Sequence, residues 1–449
     1  MTRGAEMAAI ARHAGVVLVG QLAVMAFGVT DTVVAGRYSP EALAALSVGS
    51  AVYISVYVGL MGIVQALLPV WAEQQGARRA AEVGPSVRQA LYLCLVTVVV
   101  GMAVLLEPGP MLRAAAVPEA LRDEVGAYLR VLAWALPPAL LFRLFSTLNQ
   151  ALGHPRLVSI LQMAALLPKI ALSVWLAFGG LGVPAQGAVG CAWATLIVNY
   201  ALLAVALLLL RTQRLYRPYA LWRRPEPPDW RQIRAFLHLG VPAGLAVMVE
   251  VTSFTLMALF VARLGTLALA SHQIAANVAA VLYMVPLALG IATSARVSAW
   301  HGAGDAVQAR RAAWLGLGMA MGLALCMGAL LVLLARQVVG LYVDQPAILL
   351  AAPALLAWVA LYHLGDAVQA VSLFVLRSYR VTVTPLLIYG VLLWGLGLAG
   401  GYRLAFHGIG PWPAQQQPAA FWTASALALG LVAVLFLLLM ARVTRTRPA

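Results

Sequence analysis

Three acids lie inside apolar stretches where water would not reach them: Asp31, Glu250 and Asp366. Three cations share that situation: Arg143, Lys169 and Arg130, the last close to the end of its stretch. Placing one such group at bilayer depth costs about 2.5–3.5 kcal/mol on insertion scales, which makes each a candidate for a role beyond packing. Glu250 and Asp366 fall in corresponding thirds of one half of the chain and could share a cavity. Two carboxylates close together in a low dielectric resist double ionisation, so such a pair would readily take up a proton or a monovalent cation. The competing reading is a neutral, hydrogen-bonded acid that ties two helices together. Arg130 reads as a side chain that snorkels to the interface. Arg143 stands about 20 Å along a helix from Arg156, too deep for that. It reads either as half of an ion pair or as a cavity-lining group.

The elements that must position these groups follow from composition. Of 449 residues, 63% are hydrophobic and 10% charged, and the mean hydropathy is +0.90. Soluble domains carry roughly 45–50% apolar and about 25% charged residues, so a soluble globular protein is excluded. A disordered chain is excluded too, because disorder needs low hydrophobicity. A hydrocarbon core of roughly 30 Å takes about 20 helical residues per crossing. Twelve apolar runs of that order are present, near 14–36, 46–70, 88–106, 126–150, 157–178, 187–210, 235–262, 272–299, 310–335, 350–376, 382–404 and 418–441. Each must be helical, because lipid offers no partner to an unpaired backbone group and the runs are too long for barrel strands.

The net charge of +15 would suggest nucleic acid in a soluble protein. Here the basic residues lie between the apolar runs. With both termini in the cytoplasm, twenty-one of them fall inside and seven outside, which is the positive-inside asymmetry of an even number of crossings. The charge is therefore a topology signal, and no nucleic-acid partner is expected. The first run is longer than a signal-peptide core, so it is expected to stay as helix one. Cys94, Cys191 and Cys326 share no close spacing and read as packing residues rather than a disulfide or zinc framework.

The longest polar segment, 211–234, is rich in Arg and Pro and follows the sixth run. It divides the chain into an expected six-helix N-terminal lobe (1–210), a cytoplasmic linker (211–234) and a six-helix C-terminal lobe (235–449). The halves repeat one another at an offset of 226 near Val34 and Phe260, and of 224 further on, where Leu132-Ala133-Trp134 lies over Leu356-Ala357-Trp358. Two halves with an even number of crossings enter the membrane the same way, so the expected fold is an all-α polytopic membrane protein of twelve transmembrane helices, two parallel-repeat six-helix bundles around a central cavity. Aromatic side chains at membrane depth, among them Tyr53 and Tyr283, could wall a pocket for an aromatic cation, although each alone is more readily read as packing or lipid-facing. No nucleotide-binding loop, zinc-protease or serine-hydrolase motif is present, so transport energy would have to come from an ion gradient.

Five strings resemble segments of the MATE (multidrug and toxic compound extrusion) family in its NorM-like bacterial branch: DTVVAG from Asp31, LPVWAEQQGA from Leu68, GVPAGLAVMVEVTSF from Gly240, ASHQIAANV from Ala270, and DAVQ from Asp366 with the later LRSYR. They occur in order over nearly the whole chain. The resemblance implies an antiporter that expels organic cation drugs or dyes in exchange for Na+ or protons, with no cofactor. The family's N-lobe acid maps onto Asp31. Its C-lobe cation-site acids map onto Glu250 and Asp366, which would hold Na+ if Na+ is the coupling ion, with Tyr362 one turn before Asp366. Gln273 and Asn277 are a plausible polar complement.

One departure stands in helix five, where the NorM-like pattern has two Asn residues a turn apart and this chain has Lys169 and Ser173. A Lys there could pair with Asp31 and hold it ionised, in a network with Ser173 and Thr195, leaving the coupling ion to Glu250 and Asp366. The expected setting is the bacterial cytoplasmic membrane, with both termini cytoplasmic and the protein a monomer in the lipid bilayer. A rival, the lipid-linked saccharide flippase of similar fold, would need several deep cations for pyrophosphate, and only Arg143 and Lys169 qualify. An intramembrane enzyme would need a nucleophile and base, and His238, His272 and His363 are scattered.

Overall fold

The computed structural model describes residues 2–114, 118–180, 182–224 and 226–446. Twelve helices among them are long and apolar enough to cross a membrane. In chain order they are α1 (Arg3–Tyr38), α2 (Pro40–Gly76), α3 (Ala80–Leu106), α4 (Leu121–Ala151), α5 (Pro155–Phe178), α6 (Gly187–Thr212), α7 (Trp230–Ala262), α8 (Thr266–Gly302), α9 (Ala306–Leu333), α10 (Pro346–Ser378), α11 (Val383–Phe406) and α12 (Ala419–Arg445). The count matches the twelve apolar runs. Several helices outrun them at their ends: α1 starts at Arg3 and α8 ends at Gly302, because polar residues at the ends of a span continue the helix beyond the apolar core.

The repeat is visible in the small elements as well as the large. A short helix at Gly109–Ala114 follows α3, and one at Ala335–Gly340 follows α9, the same offset of 226. A two-residue bridge closes the loop after α5 (Gly180 with Val183), and another closes the loop after α11 (Ile409 with Trp412).

The chain forms two compact units, Val19–Gly244 and Met1–Leu18 with Leu245–Ala449. The boundaries expected at 210 and 235 are thereby displaced. Residues 3–18 of α1 pack with the C-terminal half, and the linker and residues 230–244 of α7 pack with the N-terminal half. Side-chain contacts explain both displacements. In the C-terminal unit, buried Glu6 accepts from Arg296 at 2.8 Å (Nε) and 2.7 Å (Nη2) and from Trp300 Nε1 at 3.2 Å, which fixes the first turn of α1 to the end of α8. In the N-terminal unit, Leu239 and Ala243 of α7 pack with Ala66 and Val70 of α2. Gly244 allows this crossing, since a Cβ there would stand 2.4 Å from the Gly59 carbonyl oxygen.

The linker is held rather than loose. Arg88 of α3 donates from Nε to Glu226 at 2.6 Å, from Nη2 to the other Glu226 oxygen, and from Nη1 to the Ala220 carbonyl at 2.8 Å. Gln89 and Tyr92 bond the backbone at Pro227 and Glu226. The Arg88 hydrogen bond, with a further bond from its own backbone, pushes the Glu226 carboxyl down to about 2.

Each unit is organised around one helix. In the C-terminal unit α10 packs against α8, α9 and α12, and every residue from 366 to 379 is buried. In the N-terminal unit α4 packs against α2, α3 and α6. A helix covered on all sides can hold polar groups away from lipid, and the acid on α10 occupies such a position. Of the three cysteines, Cys94 and Cys191 are buried packing residues, whereas Cys326 is exposed.

Candidate functional site

The C-terminal unit brings Glu250 of α7 and Asp366 of α10 to one side chain. Gln369, one turn after Asp366, donates its amide nitrogen to Glu250 Oε1 at 3.1 Å and to Asp366 Oδ1 at 2.8 Å. All three residues are buried. The Gln369 carbonyl oxygen accepts from the Tyr389 hydroxyl, so both ends of the amide are committed and its orientation is fixed. A carboxamide can donate two hydrogens, one to each acid, and leaves the carboxylates' other oxygens to bind a proton or a small hard cation.

The surroundings of this cluster are aromatic. Tyr362 is buried one turn before Asp366, its ring edge-on to Phe254 at 5.6 Å and to Trp422 at 5.8 Å. Trp394 donates to the Val249 carbonyl at 3.2 Å, beside Glu250. Trp394 lies in a π-helical stretch of α11, Gly390–Ala399, a widened turn of the kind that recurs at functional sites.

The N-terminal unit brings Asp31 of α1, Lys169 and Ser173 of α5 and Thr195 of α6 together. Lys169 Nζ lies 2.6 and 2.9 Å from the two Asp31 oxygens, 2.8 Å from Thr195 Oγ1 and 3.2 Å from the Cys191 carbonyl. Ser173 donates to Asp31 Oδ1 at 2.9 Å. Lys169 and Ser173 are fully buried and Asp31 is 8% exposed.

The remaining expected residues fall elsewhere. Arg143 has no carboxylate partner among the described residues, and its Nη2 points to the Met61 sulfur, so the ion-pair reading gives way. Gln273 and Asn277 share an exposed face of α8 and make no bond to the acids. Tyr53 is half-buried and stacks on Tyr57 at 5.8 Å, and Tyr283 is half-buried on α8. Sequence reasoning missed Gln369 and Tyr389. The signal for the first was available, because Asp366 and Gln369 are three apart and therefore share a helix face. Tyr389 had none, lying on another helix.

The two units do not carry the same chemistry at matching places. At the offset of 224, Asp366 lies over Phe142, and at 226, Asp31 lies over Met257. One fold unit has been used twice and furnished differently.

A repeated bundle of twelve membrane-spanning helices with buried acids in both units has the build of a membrane carrier. The MatE family matches residues 17–175 and 242–402, once in each half. A probable multidrug resistance protein NorM of Aromatoleum aromaticum is 42% identical over 97% of this chain and 94% of its own length. The multidrug resistance protein PmpM of Pseudomonas aeruginosa is 32% identical over 98% of this chain and 92% of its own length. Among solved structures, a eukaryotic MATE transporter superposes with a TM-score of 0.88 at 17% identity, covering 99% of this chain and 98% of that one. A Vibrio cholerae MATE transporter, VcmN, does so at 0.87 and 15%, with 99% and 98% covered. The chain belongs to the MATE family, in its NorM-like bacterial branch; it is a multi-pass membrane transporter and not an enzyme.

Proposed function

We propose that this protein is a secondary active multidrug efflux antiporter of the bacterial cytoplasmic membrane, a monomer with both termini in the cytoplasm. It exports organic cations in exchange for Na+ or protons by alternating access. The observation that carries the reading is the buried Glu250–Gln369–Asp366 cluster. Two acids share one neutral amide, and the buried Arg377 further along α10 is one positive charge that acts on Glu250, so two ionised acids still leave one charge for a coupling ion to supply. Tyr362, Phe254 and Trp422 give the same region an aromatic wall suited to an organic cation. The relatives' names, multidrug resistance proteins, support drug export as the direction of transport.

In the cycle, ion uptake at Glu250 and Asp366 from outside favours release of drug, and drug binding from inside expels the ion. One elementary charge moving down 100 mV supplies about 2.3 kcal/mol, enough for roughly fiftyfold accumulation. The flippase alternative loses ground because the charge of Lys169 is cancelled by Asp31, which leaves no cluster of deep cations for pyrophosphate among the described residues. Ethidium transport in proteoliposomes, driven first by an imposed Na+ gradient and then by an imposed pH gradient, tests the reading. One gradient should drive export, and Glu250→Gln or Asp366→Asn should abolish it. Undiminished export by the doubly neutralised protein would overturn the proposal.

A further inference from the structure

The four atoms within hydrogen-bond distance of the Lys169 ammonium, among the described residues, are oxygens with a lone pair to offer. The Asp31 carboxylate and the Cys191 carbonyl can only accept. Thr195 Oγ1 directs its own proton to the Cys191 carbonyl at 3.0 Å, and Ser173 directs its proton to Asp31, so neither hydroxyl presents hydrogen to the ammonium. Four oxygens within 3.2 Å exceed the three protons of an ammonium, and the Cys191 carbonyl is the most distant of them. Two carboxylate oxygens, a hydroxyl and a backbone carbonyl form the donor set that binds small monovalent cations. They come from α1 and α6, whereas the cation comes from α5. One negative charge faces one positive charge.

We propose that Lys169 is a tethered cation, occupying an oxygen cage of Asp31, Cys191 and Thr195 that would otherwise hold one free monovalent cation, so that the N-terminal unit is permanently loaded. The cage stands on its own geometry. Its consequence for transport, that the coupling ion is taken up in the C-terminal unit alone, rests on the exchange reading above.

The experiment needs no transport, so its failure is distinguishable from failure of that reading. Lys169→Ala removes three carbons and the nitrogen, a gap in the shape of n-propylammonium. In detergent, Lys169→Ala is expected to unfold several degrees below the parent protein. n-Propylammonium or Na+ should restore at least half of that loss saturably, whereas choline at equal ionic strength should not. The parent protein and the double variant Asp31→Asn/Lys169→Ala should show no such response. A Lys169→Ala protein that responds as the double variant does would overturn the proposal.

Should these variants fail to fold, the parent protein still decides. Lys169 is the chain's single lysine, so selective ¹⁵N-lysine labelling gives one side-chain resonance. It should be that of a hydrogen-bonded ammonium, unmoved by Na+ or Li+. A resonance that shifts saturably with either ion would show that a free cation displaces Lys169 from the cage, and the proposal would fall.

Discussion

Gln369 does for two acids what neither could do for the other. Its nitrogen lies within hydrogen-bond distance of both carboxylates, and Tyr389 pins its oxygen, so one amide sets the separation of Glu250 and Asp366. Groups that orient ion ligands without replacing them typically change affinity or activity by about 10–100-fold when removed. Gln369→Leu is therefore expected to lower ion-driven ethidium transport by about tenfold or more with the protein still folded, measured as initial rates in proteoliposomes. Tyr389→Phe should cost less, since the amide keeps both donors. The Asp31–Lys169 pair gives a stability prediction. Removing one partner leaves a buried charge alone, at about 3–5 kcal/mol, whereas removing both can be neutral. Asp31→Asn should lower the unfolding temperature in detergent, and Asp31→Asn/Lys169→Met should regain most of it. Additive losses in that double-mutant cycle would refute the pairing.

At the scale of the element, the linker is tied to α3 by bonds that titrate. The Glu226 carboxyl is held near 2 by Arg88, below its ordinary value of 4.5. A depressed folded value means the tie is fully present above 4.5 and is lost as pH falls toward 2. Pepsin cleavage between residues 220 and 229 should therefore rise steeply as the pH is lowered across that window in the parent protein. In Glu226→Gln it should start high and change little. Arg88→Gln should speed trypsin cleavage between the exposed Arg223 and Arg224 at neutral pH, by releasing the backbone that the parent holds at Ala220 and Glu226. The helix count was legible in the sequence because lipid imposes one secondary structure on every apolar run. The linker's docking was not, because Arg88 and Glu226 are 138 residues apart and each alone looks like a solvated charge. Lys169 against Asp31 was legible only through the family resemblance, which sets Lys169 where the NorM-like pattern has an Asn and Asp31 at the N-lobe acid.

At the scale of the whole chain, the two compact units part at residues 18 and 244 rather than at the linker. Hydropathy puts the start of the first run near residue 14, so Glu6 falls outside it. It is a buried anchor, and periodicity could not show this because Arg296 and Trp300 lie 290 and 294 residues away. Each compact unit therefore contains a piece of the other half's sequence, residues 1–18 in one and residues up to 244 in the other. A chain split between Pro227 and Pro228 should then behave in a definite way. Residues 1–227 keep the Arg88–Glu226 tie but lack the α7 segment that covers Ala66 and Val70, and residues 228–449 lack the α1 segment that neutralises Arg296. Expressed singly, each fragment should aggregate or be degraded. Coexpressed, they should co-purify through an affinity tag on either one, and Glu6→Ala should weaken that association by leaving Arg296 without its carboxylate. Two fragments that are each stable and monodisperse alone, and that do not associate when mixed, would show that the exchanged segments are not needed to complete the units.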